Sequence, residues 1–137
     1  MVTAWTDGAC SPNPGKGGWG AVLRSGNKTK YISGASLHST NNRMEMQAVI
    51  EALRVIPKST DVVIVSDSNY VVKGMTEWLP GWKRKQFKGV KNVDLWLELD
   101  AEVQRHKTVT FRWVKAHNGD PMNELADGLA VKARQQL

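Results

Sequence analysis

The sequence predicts an α/β domain built around a mixed β-sheet. Three observations carry that expectation. Residues 2–34 hold three strand-like segments joined by a Gly/Pro/Ser/Asn-rich loop and a tight turn, which reads as an antiparallel meander. The run "DVVIVSD" at 61–67 is short and continuously apolar, typical of a strand buried on both faces and often parallel to its neighbour. Segments with helical spacing of apolar residues flank that run.

The elements follow in order. Val2 to Ala9 forms the first strand, Ser11 to Gly18 a loop with two prolines and three glycines, and Trp19 to Arg24 the second strand. Ser25-Gly26-Asn27 turns the chain into a third strand, Lys28 to Gly34. Thr40 or Asn41 can cap a helix that runs to about Val55. Met46, Val49, Ile50 and Leu53 fall at i, i+3, i+4 and i+7 and form its core face, and Pro57 stops it. A short helix is expected from about Ser68 to Glu77. Asn92 is expected to cap a longer one through about Arg105, with Val93, Trp96, Leu97 and Val103 inward. "TVTFRWV" is the last strand and "KAHNGDP" a loop. Asp120 is a good N-cap and Pro121 a good first helical residue, so a final helix runs to about Arg134. The order is β-β-β-α-β-α-α-β-α.

The chain of 137 residues is expected to be one domain with one core, for it contains no repeat, low-complexity stretch or linker. Hydrophobic residues at 41% and charged residues at 23% give an ordinary globular profile. No apolar run is long enough to span a membrane, and "MVTAWTDG" lacks the features of a secretory signal. Cys10 stands alone, so no internal disulfide forms and a zinc site built from cysteines does not fit; a reducing, cytoplasmic compartment is expected. A net charge of +6 favours a polyanionic partner, with nucleic acid first.

Carboxylates provide the chemistry. Ligands of parallel sheets bind beyond the carboxyl ends of the strands. Asp67 closes the apolar run and Asp7 closes the first strand, so the two share one rim if these strands are neighbours. Glu45 borders the apolar face of the first long helix, where Ala48 and Ala52 allow close packing. Asp127 sits in the last helix at the edge of a Leu125/Leu129 face. Converging carboxylates repel and raise one another's pKa values, a penalty that divalent cations remove. Oxygen ligands without cysteine select hard ions such as Mg²⁺ or Mn²⁺. Spacing alone leaves bland readings open: Asp67 as a helix cap, Asp7-Gly8 as an Asx turn, Glu45 and Asp127 as solvated helix residues.

The stretches "TDGACSPNPGKGGWGAVL", "TNNRMEMQAVIEAL", "VSDSNYV", "WKRKQFKGVKNVDLW" and "WVKAHNGDPMNELADGLA" together resemble type 1 ribonuclease H of the bacterial cellular kind. His117, Gly119, Asn123, Glu124, Ala126 and Asp127 match that family's most specific motif. The resemblance covers nearly the whole chain. It implies a ribonuclease H-like fold, a five-stranded mixed sheet with three antiparallel strands plus parallel strands, flanked by helices. It implies that Asp7, Glu45, Asp67 and Asp127 ligate two Mg²⁺ ions, with Mn²⁺ as a substitute, and that Asp7 lies between them. The implied activity is hydrolysis of the RNA strand of an RNA–DNA hybrid, leaving 5′-phosphate and 3′-hydroxyl ends, with His117 as a proton shuttle or aid to product release. His38 and His106 have no catalytic match.

Between Trp78 and Asn92 the chain carries Lys83, Arg84, Lys85, Lys88 and Lys91 with Trp78, Trp82 and Phe87 interleaved and no acid. Such a run suits backbone neutralisation beside a stacking or sugar-packing surface. By resemblance this is a basic protrusion that holds the DNA strand, with Trp78 and Trp82 at its aromatic positions. The resemblance also places Cys10, Asn13, Glu45 and Asn69 along the RNA strand, where 2′-hydroxyls distinguish RNA from DNA. It places Asn41 and Asn42 towards the DNA side, and Thr40 and Asn92 at a DNA phosphate. His38 stands where many relatives carry Arg in that pocket. Cys10 reads equally well as a small semi-buried side chain.

Two other readings share the fold. A non-catalytic nucleic-acid-binding module would lack carboxylates, and none is missing. A DNA-directed metal nuclease would lack the asparagines and the basic protrusion. The start at Met1 is read as that of a free-standing protein, expected to act as a monomer, rather than part of a reverse transcriptase.

Overall fold

Two short connections shape the first half of the chain. The computed structural model describes residues 1–116 and 118–137. In it β1 (Val2–Cys10), β2 (Gly15–Ser25) and β3 (Lys28–Ser39) run antiparallel, as the meander requires. Ser25 pairs with Lys28 across the turn, and Gly26 takes a positive φ of 61° there, which glycine adopts at no steric cost. β4 (Asp61–Ser66) pairs parallel with β1, and β5 (Thr108–Trp113) parallel with β4. The sheet order is β3-β2-β1-β4-β5, so the five-stranded mixed sheet is as expected.

Strands β2 and β3 are longer than their composition predicts. β2 begins at Gly15 rather than Trp19, and β3 continues to Ser39 rather than ending at Gly34. Glycines in these stretches read as loop, yet they mark close approach. A β-carbon at Gly17 would overlap Cys10 and Met44 side chains, and one at Gly18 or Gly20 would overlap the last helix.

Helix α1 (Asn41–Val55) begins where the Thr40 hydroxyl accepts the Arg43 N–H at 3.2 Å. Met46, Val49, Ile50 and Leu53 are all buried, as their spacing predicts. Arg105 closes the other end, donating from Nη2 to the Leu53 and Ile56 carbonyls at 2.6 and 2.8 Å. The helix expected to end near Glu77 continues further: α2 (Asn69–Lys73), a π-helical turn (Gly74–Trp78) and α3 (Leu79–Arg84) form one helical run. Gly74 sits against the Trp96 ring, leaving no room for a side chain there.

α4 (Val93–Arg105) and α5 (Pro121–Gln135) complete the fold. Asp120 caps α5 as predicted, accepting the Met122 and Asn123 N–H groups at 3.0 and 3.3 Å. Two expectations need correction. Asn92 precedes α4 in the left-handed region (φ 60°) and its side chain makes no capping bond. Leu97 is 51% exposed, because the buried face of α4 is Leu95, Trp96 and Leu99. Leu125 is also exposed, for α5 presents Asn123, Ala126, Ala130 and Ala133 to the sheet.

Strand alternation assigns the faces. Gly8 approaches α1, whereas Gly20, paired with Asp7, approaches α5 on the opposite face. The apolar core lies between the sheet and α1 with α4, and includes Ala4, Leu23, Ile50, Leu53, Ile64 and Trp96. Among the described residues no helix is long and apolar enough to cross a membrane.

Candidate active site

The parallel register of β1 and β4 sets Thr6 opposite Ser66. Asp67 follows the last residue of β4, whereas Asp7, expected to close β1, lies inside it paired with Gly20, because β1 runs on along β2 to Cys10; the two residues sit at one level where the β1–β4 pairing ends. Glu45 arrives from α1, which closes onto Gly8 because that residue has no side chain. One carboxylate oxygen from each of Asp7, Glu45 and Asp67 lies within 4.8 Å of the others. Asp127 lies on α5 and is not one of the three converging carboxylates, though it stands near enough to add to the upward pressure on the Asp7 pKa, behind burial and Asp67. The bland alternatives for Asp67 and Asp7 do not match the geometry. Ser68, not Asp67, caps α2. Asp7 Oδ1 accepts the N–H of its immediate neighbour Gly8 at 2.9 Å, too close in sequence for an Asx turn.

The cluster is electrostatically strained as bare protein. Burial, followed by the charge of Asp67, pushes the Asp7 carboxyl from an ordinary 3.8 up to about 8. Burial and then the Asp7 and Asp67 charges hold Glu45 well above the usual carboxylate range. Glu45 Oε1 is buried and has no hydrogen-bond partner. An orphaned buried oxygen facing two further carboxylates is what a hard cation would satisfy, so the donor set fits a divalent metal ion.

The residues expected to touch substrate fall into three groups. Cys10, Asn13 and Asn41 are tied together: Asn41 Oδ1 accepts the Cys10 N–H at 2.7 Å, and Asn13 Oδ1 accepts the Asn41 N–H at 3.1 Å. Asn13, Thr40, Asn41, Asn42, Lys91 and Asn92 line one open groove beside them. Burial pushes the Cys10 thiol pKa up, so it is a poor nucleophile. Asn69 is exposed at the first position of α2.

The basic segment forms the second group. Trp78 is 39% exposed, while Trp82 is half-buried with its ring 5.0 Å from Trp96. Arg84, Lys85 and Lys88 are exposed and make no ion pair among the described residues, whereas Lys83 pairs with Asp100 at 2.9 Å. The third group is split. His38 lines a different depression from Thr40 and Asn92, together with Ser36, Arg43 and Gln47. Arg43 is the cation beside Asn92 (Nη1 to Oδ1, 3.2 Å), and Asp94 holds it at 2.7 and 3.0 Å. His117 lies outside the described residues.

Arg43 and Trp113 carry no sequence signal of a role at the site, and Asn123 stands out only as part of a motif. Asn123 donates from Nδ2 to Asp67 Oδ2 at 3.3 Å, and Trp113 donates from Nε1 to the Asp67 carbonyl at 3.1 Å. The available signal was Asn123 itself, an amide on the apolar side of a helix.

Comparison with known proteins gives consistent results. The RNase H family model matches residues 1–135. A ribonuclease H of Bordetella avium (strain 197N) is 54% identical over 135 residues, covering 95% of this chain and 88% of that protein. The crystal structure of LC9-RNase H1, a type 1 RNase H with the type 2 active-site motif, superposes with a TM-score of 0.92 at 31% identity, covering 98% of this chain and 72% of that one. LC11-RNase H1, solved in complex with RNA/DNA hybrid, has a TM-score of 0.79 at 22% identity, covering 99% and 98%, and shares the fold.

Proposed function

The chain belongs to the ribonuclease H family, and from that premise we propose that its acidic rim hydrolyses the RNA strand of an RNA–DNA hybrid. The observation that carries this reading is the convergence of Asp7, Glu45 and Asp67 to within 4.8 Å on a protein of net charge +6. A strongly negative spot on a positive protein suits a phosphodiester substrate only when cations neutralise it. Asp7, Glu45, Asp67 and Asp127 would hold two Mg²⁺ ions, or Mn²⁺ in their place. When bound, the pair would activate the attacking water and offset charge on the leaving 3′ oxygen.

The chain's own groups do the positioning. The Gly8 N–H orients Asp7 from behind. Two adjacent strands and two packed helices supply the carboxylates, so little rearrangement is needed when substrate arrives. His117 follows β5 in sequence and is assigned the transfer of a proton at the product end. Cleavage then leaves a 5′-phosphate and a 3′-hydroxyl.

Recognition is assigned to the surrounding residues. Cys10, Asn13, Glu45 and Asn69 read the 2′-hydroxyls of the RNA strand. Asn41 and Asn42 lie towards the DNA strand, and Thr40 and Asn92 hold one of its phosphates. Trp78, Trp82, Lys83, Arg84, Lys85 and Lys88 grip the DNA further along. The Cys10–Asn41–Asn13 hydrogen bonds support this reading, because they fix three of these residues in one surface. The protein is proposed to act as a cytoplasmic monomer.

The test is a substrate panel. Labelled RNA–DNA hybrid, duplex DNA and duplex RNA are each incubated with and without Mg²⁺. Cleavage confined to the RNA of the hybrid, and abolished by EDTA, is expected. Equal cutting of duplex DNA, or activity that survives EDTA, contradicts the assignment.

A further inference from the structure

Asp67 is held from two sides by residues that come much later in the chain. Trp113, the last residue of β5, pairs with Ser66 and donates its indole N–H to the Asp67 carbonyl at 3.1 Å. Asn123, in the first turn of α5, donates from Nδ2 to Asp67 Oδ2 at 3.3 Å. Asn123 is only 2% exposed, and Asp120 fixes its backbone by accepting its N–H. The strand end is secured as well: Val114 N–H donates to the Ser66 carbonyl at 2.9 Å, and Ser68 N–H to the Ser66 hydroxyl at 3.0 Å.

An Asp carboxylate has a broad, two-fold χ2 preference, so its plane is free unless something holds it. Repulsion from Asp7 and Glu45 pushes an unheld Asp67 away from the cluster. A single N–H bond to one oxygen fixes the plane. The residue type matters. A lysine there would compete with a cation for the carboxylate, and an aspartate would add repulsion. A neutral amide orients Asp67 without altering the charge of the site.

We propose that Asn123 is the positioning residue that holds the Asp67 carboxylate in its metal-binding orientation, with the Trp113 indole securing the backbone of the same residue. The inference rests on the metal-holding role proposed above for Asp67. Partners of this kind behind metal ligands typically change metal affinity ten- to a hundred-fold when removed.

The experiment is calorimetric titration of the substrate-free protein with Mn²⁺, alongside the Mn²⁺ dependence of hybrid cleavage. Asn123→Ala should raise the Mn²⁺ dissociation constant about ten- to a hundred-fold. Saturating Mn²⁺ should restore most of the turnover number, and hybrid binding in EDTA should stay within about twofold of wild type. Asn123→Leu keeps the branched side-chain outline while removing the donor and should behave alike, so a poorly folded alanine variant does not block the test. A folded Asn123→Leu protein with wild-type Mn²⁺ affinity overturns the proposal while leaving the metal site standing. A wild-type protein that binds no Mn²⁺ overturns both.

Discussion

Gly8 of β1 lies directly against Glu45 of α1, so close that a β-carbon on Gly8 would overlap the Glu45 amide nitrogen and the Met44 carbonyl. This backbone approach sets the distance between helix and sheet, and so brings Glu45 to Asp7. Gly8→Ala must push α1 outward. Overpacking of this kind costs about 1–3 kcal/mol, and separating Glu45 from Asp7 should lower hybrid cleavage more than tenfold. Urea denaturation and steady-state kinetics measure the two effects. Gly128→Ala is the control: its β-carbon meets nothing within 4 Å in the middle of α5. It should stabilise the protein by about 0.5–1 kcal/mol.

Stability should depend on pH in a way that metal suppresses. The Asp7 carboxyl lies at about 8 in the folded protein against 3.8 ordinarily. Between those values the folded chain keeps a proton that the unfolded chain has released. Its stabilising contribution is therefore complete below about 3.8 and is lost as pH rises towards 8. Glu45 acts in the same direction. In EDTA, the unfolding free energy should fall across this window by up to about 1.4 kcal/mol per pH unit for each such group. Millimolar Mg²⁺ should flatten the fall, and Asp7→Asn should flatten it without metal. Denaturant melts at pH 5 and pH 8 check this; equal stability at both in EDTA contradicts it.

The basic segment should contribute binding more than rate. Arg84, Lys85 and Lys88 are exposed and free of ion pairs among the described residues. Replacing all three with Ala should raise KM more than it lowers kcat, because phosphate contacts act alike in ground and transition states. The slope of log affinity against log salt should fall by roughly 0.9 for each lost contact, as on duplex DNA. Lys83→Ala should weaken binding less, since Asp100 already holds the Lys83 ammonium. Fluorescence anisotropy in EDTA at several salt concentrations gives these slopes.

Much of this arrangement was legible in the sequence because it depends on pattern. Alternating and continuous apolar runs identified all five strands, and the 3.6 period of α1 identified its buried face residue by residue. That Asp7 and Asp67 share one level was legible in the strand pattern, although only Asp67 stands at a strand end and Asp7 lies inside β1. What composition hid depends on tertiary contact. Glycines at 15, 17 and 18 look like loop until Pro12 is seen crowding the first, Cys10 and Met44 the second and α5 the third. Leu97 looks inward by type, but Leu95, Trp96 and Leu99 already fill the core side of α4. Asn92 looks like a cap, yet its amide is engaged by Arg43 and the Tyr70 hydroxyl instead. No local signal reveals that Asn123 reaches back 56 residues to Asp67.

The most direct test of the account is a paired measurement on Asp7→Asn: hybrid cleavage in saturating Mg²⁺ and hybrid affinity in EDTA. Asp7 is the carboxylate on which burial, Asp67, Glu45 and Asp127 all act, so the metal-held chemistry depends on it. Turnover should drop by about a hundred- to a thousandfold or more, since losing one principal electrostatic stabiliser already costs that much. Affinity should stay within a few-fold of wild type or tighten, because one negative charge has left the phosphate path. Retention of turnover within tenfold of wild type would contradict the claim that this rim of carboxylates performs the reaction.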